Sequence, residues 1–550
     1  MVNHRAKPRI LAFTKAQVMK LRKTLFLLMA ATVLSTPGCK NGRSPTATPT
    51  AVPTQEVTAE ATVAPLEGPA AQEQVTVLTQ DSISTLDPYL MVRTGLEESV
   101  AAHIWDTLVW IGDGFDLEPN LAESWRLVND LTWEVFLRQG VTFHNGEPFN
   151  AEAVKFSLAR AAQLDGSLET FTDDVGLLQV EIVDDYTVRL HTAEPAVSII
   201  YELSSVEMLP PIYYGETARE DVARNPVGSG PYQLVGWDPG ELVVLQANAN
   251  FWQGAPAIQS IVFQTELDVD ERLADLVSGD ADLVADLPPD RAEAANTEST
   301  RLAAIESTRR LFVGIRSDDG TPGANRSVRQ ALNYAVDVQA LVAEFHAGYG
   351  QRYGSWVNPP NGDPGLSPWP YDPQKARDLL AQAGYSQGFE VVLDAPVGRY
   401  HRDQEIAEGI AAQLAEVGVR VTVQPQDWTT YVNDRLIPKS TAPLFLLGLM
   451  SRGNDLEDAR NLAYSFPFNP TLWQNEGFEQ LLREAEQTFN QTLRLNLLRQ
   501  AQGIGYEEAP WVWLWRPFLF YGVGQGLDWW QPRADGLIYL YAPAPAPVTE

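Results

Sequence analysis

From residue 74 onward, the chain alternates between two kinds of hydrophobic pattern. Short runs rich in β-branched and aromatic residues predict strands, and stripes that recur every three or four residues predict helices. The predicted strands are Gln74–Thr79, Trp133–Leu137, Val180–Val183, Thr187–Leu190, Ile258–Thr265, Ala281–Val284, Leu311–Arg316, Glu390–Asp394, Val419–Gln424 and Leu444–Leu449. The predicted helices are Leu96–Trp110, Ala151–Ala162, Asp270–Gly279, Asn325–Ala335, Asp372–Ala383, one capped by Asp403 and ended by Gly418, and Phe478–Leu498. Strands that alternate with helices indicate an α/β fold with parallel layers.

The stretch Asn225–Trp252 combines strong strand and turn signals. Two runs, Gln233–Trp237 and Leu242–Gln246, predict a hairpin, and the Pro-Gly pair between them predicts a type II turn with Gly240 at positive φ. Ahead of the hairpin lies Gly228-Ser229-Gly230-Pro231. Because glycine has no Cβ, this segment is predicted to pass close to another part of the backbone.

Two blocks of sequence resemble a known protein family. The first joins Pro-Val-Gly-Ser-Gly-Pro-Tyr, a Pro-Gly turn and Asn-x-x-Phe-Trp, which ends at Trp252. The second, Leu117–Arg160, contains Leu-Ala-Glu-Ser-Trp, Leu-Arg-x-Gly-Val-x-Phe-His-Asn-Gly and Pro-Phe-Asn-Ala-Glu-x-Val. Similar segments cover most of Glu73–Tyr541. They resemble the extracytoplasmic solute-binding proteins of the peptide, opine and nickel uptake family (family 5), which deliver ligands to ABC importers.

The resemblance implies a periplasmic-binding-protein-like type II α/β fold of the three-domain class C. In such a fold two lobes are joined by crossing strands, and one lobe carries an extra domain. The implied boundaries are 73–115, 222–305 and 505–541 for domain I, 116–221 for domain II, and 306–504 for domain III. Domains I and II form one lobe, and domain III forms the other.

Residues 1–38 predict an export signal. Lys20, Arg22 and Lys23 precede the apolar run Leu25–Leu34, which is too short to span a bilayer but suits a signal peptide. Met19 is an alternative start. Gly38-Cys39 resembles a bacterial lipobox, although Thr36 and Pro37 depart from its usual pattern. Cys39 is therefore predicted to carry a lipid that anchors the chain to the cell membrane, in the periplasmic space or on the outer face.

The segment 39–72 predicts a spacer between that anchor and the folded part. Asn41–Ala71 is rich in Thr, Pro and Ala and has no apolar periodicity, so it is predicted to be disordered and partly extended. The tail 542–550 has a similar composition.

The charge of the chain excludes some partners. The formal net charge is −31, and the first 38 residues hold seven Lys/Arg and no Asp/Glu, which leaves 33 basic against 71 acidic residues, or −38, in the remainder. Such a surface repels nucleic acid and anionic lipid, so no nucleic-acid partner is expected and the membrane is reached through the lipid anchor only. One cysteine excludes an intrachain disulfide. We expect a monomer.

No recognised catalytic motif is present in the sequence. HExxH, GxxxxGK[ST], GxSxG and CxxC are absent, and the glycines at 522, 524 and 526 lack the dinucleotide spacing. The six histidines show no metal-ligand spacing. We therefore expect neither an enzyme, nor a cofactor, nor a metal site.

Several loops carry residue types that suit a solute-binding cleft. Aromatic side chains supply apolar area at small entropic cost, and arginine binds a carboxylate through two hydrogen bonds. Arg399, Tyr400 and Arg402 lie at the carboxyl end of a predicted strand, where ligands usually bind in α/β layers. The alternative interpretation of these three residues is a solvated basic loop.

Three aromatic residues complete the predicted cleft. Trp428 is predicted to line it, and Trp356, in a Gly/Pro-rich loop, is predicted to cover the ligand. The alternative for either ring is packing in a core or within its own loop. Tyr89 is added by the resemblance, because the loop after the first strand faces the cleft in related proteins.

The loop after Leu444–Leu449 departs from the family pattern. In dipeptide- and oligopeptide-binding relatives it offers an aspartate to the ligand's α-ammonium, whereas here Arg452 stands at that position and Asp455 follows. Either Asp455 substitutes for the aspartate, or the ligand is not a peptide with a free amine.

The resemblance implies a receptor that encloses a peptide or similar solute between two lobes by hinge closure and delivers it to ABC permease subunits. One alternative is an oligosaccharide ligand, because tryptophans stack on sugar faces and the chain has fifteen of them. A second alternative is a chemosensory or surface lipoprotein without a transport partner.

Overall fold

The computed structural model describes residues 72–91, 95–163, 176–453, 455–463 and 469–544. The predicted export signal, Cys39, the spacer up to residue 71 and the tail from residue 545 lie outside the described residues.

Strands account for most of the framework. They are β1 Val75–Thr79, β2 Val109–Ile111, β3 Leu117–Pro119, β4 Ala122–Asn129, β5 Thr132–Leu137, β6 Leu177–Asp184, β7 Thr187–Thr192, β8 Tyr232–Asp238, β9 Leu242–Ala247, β10 Ser260–Thr265, β11 Leu283–Val284, β12 Thr300–Glu306, β13 Arg310–Ile315, β14 Gly350–Arg352, β15 Phe389–Val397, β16 Val419–Asp427, β17 Leu444–Leu449, β18 Trp511–Trp513 and β19 Trp515–Gly524.

Helices cover the sheets. They are α1 Gly95–Ile104, α2 Ala151–Gln163, α3 Ile199–Glu202, α4 Pro211–Glu216, α5 Arg219–Val222, α6 Val269–Ser278, α7 Arg326–Ala335, α8 Val338–Phe345, α9 Pro373–Gln382, α10 Asp403–Glu416, α11 Trp428–Tyr431, α12 Asp455–Arg460, α13 Glu476–Glu486 and α14 Gln491–Glu508. None of these helices, within the described ranges, is long and apolar enough to cross a membrane.

Within the described ranges, the strands form two large sheets and two smaller ones. The eight-stranded sheet has the order β12-β19-β11-β1-β10-β9-β8, with β14 paired to β19, and the five-stranded sheet has the order β16-β15-β17-β13-β18. A four-stranded sheet, β4-β5-β7-β6, and the hairpin β2-β3 complete the set. We call the part built on the eight- and four-stranded sheets the first lobe and the part built on the five-stranded sheet the second lobe.

In the part of the chain that the structure describes, two connections join the lobes. β12 leads through residues 307–309 into β13, and β18 leads through Leu514 into β19. These two segments are called the crossing segments below. The antiparallel pairing of β14 with β19, from Gly350↔Pro517 to Arg352↔Trp515, lies beside them. The domain boundaries stay a prediction; the chain returns to the eight-stranded sheet at Leu514, later than residue 505.

Each lobe has its own buried core. One cluster unites the eight- and four-stranded sheets, and it includes Trp105, Tyr232 and Leu245. The two faces of the five-stranded sheet carry separate clusters, since alternate side chains of a strand point to opposite faces. Val313 lies in one of these clusters, and its neighbour Phe312 lies in the other.

The predicted close approach before the central hairpin is confirmed. A Cβ on Gly228 would lie 1.9 Å from the carbonyl oxygen of Ile104, and one on Gly230 would lie 2.6 Å from that of His103. The amide of Gly230 donates to the Ile104 carbonyl at 3.0 Å. The turn prediction is also confirmed, with Gly240 at φ 84.

Two helix predictions were wrong in extent. Leu96–Trp110 ends as a helix at Ile104, and Val109–Ile111 forms β2. Phe478–Leu498 is two helices, α13 and α14, because the Asn490 side chain caps the second by accepting from the Leu493 amide at 3.0 Å.

Candidate functional site

Four charged side chains from both lobes meet beside the crossing segments. Asp81 follows β1 and Asp286 follows β11, two parallel neighbours in the first lobe. Arg309 lies in a crossing segment, and Arg399 follows β15 in the second lobe. We call these four residues the hinge cluster. It lies at the carboxyl ends of parallel strands, which is where ligands of α/β sheets bind.

The opposite charges of the hinge cluster are not joined by ion pairs. Among the described residues, no carboxylate–guanidinium distance between its members is within 4.0 Å, yet the charges influence one another. Burial raises the pKa of Asp81, the Asp286 carboxylate raises it further, and Arg399 and Arg309 oppose this rise. Burial lowers the pKa of Arg309. Charged groups that are buried and form no ion pair within the protein can attract a ligand of opposite charge.

The loop that carries Arg399 is held by Asp403. Its carboxylate accepts from the amides of Gly398, Arg399 and Tyr400 at 3.2, 2.8 and 3.0 Å. Asp403 was predicted to be the helix cap. It is instead the first residue of α10, and Arg402, at φ 55, occupies the cap position. The Asp403 carboxylate therefore stabilises the loop before the helix and does not cap the helix itself.

Two aromatic rings back the arginines of the hinge cluster. The Arg399 guanidinium lies 5.0 Å from the Trp428 ring, and the Arg309 guanidinium lies 5.5 Å from the Tyr400 ring. The Tyr400 hydroxyl accepts from the Gly448 amide at 2.8 Å, which fixes the ring on β17. The Nε of Arg399 is buried and has no hydrogen-bond partner within the described part of the chain. The structure therefore brings together Arg399, Tyr400 and Trp428.

Three predicted site residues lie elsewhere. Arg402 donates to the Glu344 carbonyl at 3.3 Å and covers the Phe345 ring, both within the second lobe. Trp356 is fully buried and stacks on Trp513 at 5.6 Å. Tyr89 is 1% exposed, and its hydroxyl donates to the Glu207 carbonyl at 2.7 Å. Both aromatic rings are packed in cores, so a direct role in solute contact stays a prediction that this geometry does not favour.

Arg452 bridges the two lobes. Its guanidinium forms an ion pair with Glu98 of α1 and donates to the Ser205 hydroxyl at 2.5 Å. The Arg452 carbonyl accepts from the Tyr201 hydroxyl. All three partners belong to the first lobe. We call Arg452 and Glu98 the cross-lobe pair.

Asp455 is directed into the second lobe. Its Oδ2 lies 3.9 Å from the Arg494 Nε, and its Oδ1 accepts from the Leu456 amide at 2.9 Å. Burial raises its pKa. The interpretation that Asp455 substitutes for a ligand-binding aspartate therefore receives no geometric support.

A second contact between the lobes is centred on Glu486 of α13. Its Oε1 accepts from the Ser198 amide at 3.0 Å and from the Ser198 hydroxyl at 2.6 Å. Its Oε2 pairs with Arg460 of α12 at 2.6 Å. Gln487 donates to Glu194 of the first lobe at 2.6 Å. We call Ser198, Arg460 and Glu486 the latch.

A cavity of about 250 Å³ lies against the cross-lobe pair. Its walls include Trp105, Trp110, Glu207, Arg452 and Arg533. In its wall, burial raises the pKa of Asp106 to about 6, although Trp252 and Ser229 donate hydrogen bonds to this carboxyl. Apart from Arg452, the residues that line this cavity belong to the first lobe.

Several site residues were missed from the sequence. Asp81 and Asp286 each follow a parallel strand, so the rule that selected Arg399 would have selected them also. Arg309 and Glu98 could not be selected by such a rule, because a single sequence does not show which segment crosses between lobes or which helix face meets the other lobe.

Comparison with known proteins decides the family. Residues 116–469 match the family model described as bacterial extracellular solute-binding proteins, family 5. The chain belongs to this family. As a family 5 protein it is a solute carrier and not an enzyme. It is 31% identical over 458 residues to the glutathione-binding protein GsiB of Salmonella typhimurium, a match that spans 80% of this chain and 88% of the relative. For the protein of the same name from Escherichia coli O157:H7 the identity is 30%.

Solved structures confirm the predicted fold of this family 5 protein. The periplasmic binding protein DppA from Helicobacter pylori, in complex with the peptide STSA, aligns with a TM-score of 0.76 at 23% identity, over 86% of this chain and 99% of the other. AgaA from A. tumefaciens R10, in complex with agropinic acid, aligns with a TM-score of 0.74 at 23% identity, over 86% and 99%. The type II fold with two lobes is therefore established.

Proposed function

We propose that the chain captures a peptide or similar small solute between its lobes by hinge closure and delivers it to the permease of an ABC importer. The observation that carries this proposal is the hinge cluster, in which both lobes supply charges that do not pair with each other. A solute that bears a carboxylate would bind Arg399 and Arg309, and its positive groups would face Asp81 and Asp286.

Closure follows from the position of these groups. A solute that contacts both lobes binds more tightly when they approach, so it shifts the population toward the closed state. The crossing segments supply the flexible connection, and hinges of this kind are a few residues at the ends of elements. The glutathione-binding and peptide-binding relatives support a peptide-like solute.

The number of tryptophans gives the oligosaccharide alternative little support. Eight of the fifteen tryptophans are buried in cores: Trp105, Trp356, Trp369, Trp473, Trp511, Trp513, Trp515 and Trp530. Stacking on sugar rings requires exposed indole faces, so the number of tryptophans does not indicate a sugar.

Capture itself is tested by thermal unfolding with pools of short peptides. A ligand at one hundred times its Kd stabilises the folded state by about 2.7 kcal/mol and raises the melting temperature. Native mass spectrometry of the purified protein identifies any solute that it retains. If neither peptide pools nor retained solutes are found to bind, the capture proposal is wrong.

Removal of the Arg399 guanidinium is expected to weaken solute binding strongly. Hydrogen bonds to charged groups contribute about 1.5–3 kcal/mol, so Arg399→Ala should lower the affinity by roughly ten- to a hundredfold. Titration calorimetry with a bound peptide measures the change. Arg420→Ala is the control, because Arg420 is exposed on β16 and, among the residues that the structure describes, pairs only with Glu390, at 3.3 Å. Equal affinities of the two variants would exclude Arg399 from the site.

The latch is expected to hold the lobes together. Glu486→Gln weakens the bonds to Ser198 and Arg460, so the solute should dissociate about tenfold faster and the solute-free protein should have a larger radius of gyration. Stopped-flow fluorescence and small-angle X-ray scattering report these changes. Glu484→Gln is the matched control on the same helix, since within the described residues the Glu484 carboxylate accepts only from Gln480, at 2.8 Å. An unchanged dissociation rate would remove the latch from the closing mechanism.

Export, lipidation of Cys39 and the monomeric state are further parts of the proposal, and they rest on sequence. Metabolic labelling with a radioactive fatty acid tests the anchor, because Cys39→Ser should abolish incorporation and release the protein from the membrane fraction.

A further inference from the structure

Two short helices, α3 of the first lobe and α12 of the second, face each other across the lobes. At one end of this contact, Arg460 donates to the Ser198 hydroxyl at 3.0 Å. At the other end, the Tyr201 hydroxyl donates to the Arg452 carbonyl, and the Arg452 guanidinium donates to the Ser205 hydroxyl. Side chains that lie between these two contacts are therefore at the interface of the lobes.

Each helix carries a glutamate on the face that makes these contacts. The Glu202 amide donates to the Ser198 carbonyl at 3.0 Å, so Glu202 lies one turn after Ser198. Glu457 lies three residues before Arg460 in α12. Residues three or four positions apart share a helix face. Other faces of the two helices are buried in the cores of their own lobes, through Ile199, Ile200, Leu203, Leu456 and Ala459. We call Glu202 and Glu457 the facing carboxyls.

The facing carboxyls influence one another. Burial raises the pKa of Glu457 to about 8, and the Glu202 carboxylate is the next cause of this rise. Asp458 raises the pKa further, whereas Arg452 and Arg310 lower it. Two carboxylates brought together from opposite lobes repel each other, so in the closed state one of them holds a proton at neutral pH.

The two arginines near Glu457 have carboxylate partners of their own. Arg310 forms a buried ion pair with Asp458 at 2.8 Å, and Arg452 pairs with Glu98. The attraction of each guanidinium is therefore shared with another carboxylate.

The first-lobe groups around Glu457 supply no positive charge. Glu207 adds a further carboxylate beside Arg452. The Tyr201 hydroxyl stays neutral, because burial and the Glu457 carboxylate raise its pKa above the ordinary value. A proton is therefore the group that relieves the repulsion at this point of the interface.

We propose that closure of the lobes takes up one proton, which the facing carboxyls share, so that the protein captures its solute more tightly as the pH falls from about 8 to about 6. The inference rests on the proposed hinge closure and adds proton coupling to it. In the open state the two glutamates are separated and water hydrates both of them. Closure brings them together, and the proton then removes one negative charge from the interface.

The direction follows from proton linkage. A hydrated glutamate has a pKa near 4.5, whereas Glu457 in the closed state has a pKa of about 8. Between these values the closed state binds one proton more than the open state, so each unit of falling pH favours closure by up to about tenfold. This contribution is complete below about pH 4.5 and is lost as the pH rises through the closed-state pKa of about 8.

The Glu457→Gln variant tests the coupling, because glutamine has the shape of protonated glutamate and needs no proton. The probe is the peptide that the wild type binds most tightly in the pools described above. The variant should bind this peptide more tightly than the wild type, and the ratio of the two affinities should fall about tenfold or more from about pH 8 to about pH 6. The ratio cancels the titration of the peptide and of every group that both proteins share.

Titration calorimetry in two buffers of different ionisation enthalpy counts the protons directly. At about pH 6.5 the variant should take up about one proton fewer per bound peptide than the wild type. Glu202→Gln should change the affinity ratio in the same direction, because it removes the neighbouring charge. Glu484→Gln, exposed on α13, is the matched control and should keep the wild-type pH profile.

The outcomes separate proton coupling from capture. If the affinity ratio is the same at both pH values, the coupling is wrong and capture still stands. If circular dichroism shows that Glu457→Gln does not fold, the affinity ratio of Glu202→Gln decides in the same way. If no peptide binds the wild type, capture is wrong, and small-angle X-ray scattering of the solute-free proteins at about pH 8 decides the coupling. Glu457→Gln should then be more compact, and a wild-type radius of gyration would overturn the inference.

Discussion

Replacement of Gly228 by alanine is expected to destabilise the first lobe by about 3 kcal/mol, since overpacking of a filled interior reaches this size. The new Cβ would lie 1.9 Å from the Ile104 carbonyl oxygen and 2.8 Å from the buried ring of Trp105. The nearest atom belongs to the backbone, so no side chain can rotate away. The Gly228 carbonyl also accepts from the His144 amide at 2.8 Å, which ties this segment to a further loop.

Thermal and urea unfolding of the variant measure this loss. Gly503→Ala is the matched control, because Gly503 lies in α14 with nothing within 4 Å of the new Cβ. The control should gain about 0.5–1 kcal/mol from helix propensity. A Gly228→Ala protein that melts with the wild type would show that the crossing before the hairpin adapts easily.

The buried pair Arg310–Asp458 is expected to produce the second large effect. The side chains are 0% and 1% exposed, and Asp458 also accepts from the Asn358 amide at 2.9 Å. Asp458→Ala leaves the Arg310 charge without its carboxylate in the core, which costs about 3–5 kcal/mol. Because Arg310 is the first residue after a crossing segment, the loss should affect the second lobe and the hinge together.

A double replacement distinguishes charge from packing. Arg310→Met combined with Asp458→Leu removes both charges, and such exchanges are often neutral or stabilising. The double variant should therefore be more stable than Asp458→Ala in urea unfolding. The exposed pair Arg420 and Glu390 is the comparison, and its removal should change the unfolding free energy by less than about 1 kcal/mol. A mild effect of Asp458→Ala would mean that water reaches Arg310.

Local features of the fold could be predicted because their causes lie within a few residues. The hairpin turn at Gly240 and the glycine crossing were predicted from such causes. The Asn325 side chain, which caps α7 by accepting from the Ser327 amide at 2.9 Å, has a cause of the same local kind. The turn of a hairpin fixes the register of its second strand, and a capping side chain bonds only to the first turn of its own helix. Asn490 was also a local signal that α13 and α14 are separate helices. It was missed because the apolar periodicity continues across it.

The site could be predicted only in part. Arg399 follows from strand polarity, but its partners Asp81, Asp286 and Arg309 are distant in sequence and meet only after the lobes assemble. The pairing of Arg452 with Glu98 spans 354 positions. The burial of Trp356 depends on packing against Trp513, and a Gly/Pro-rich loop sequence does not reveal that contact.

Because the lobes are joined by two neighbouring crossing segments, bending is the easiest motion of one lobe relative to the other. Sliding or twisting of the lobes would break the pairing of β14 with β19. In the proposed closure, a single opening angle then describes how far the lobes are apart. Glu194 and Gln487, which touch across the lobes, would separate as this angle grows. Since the sequence contains only one native thiol, at Cys39, engineered cysteines at these two positions could be labelled with dyes in a Cys39→Ser background. The binding protein would then report solute concentration optically, as a reagent-free sensor.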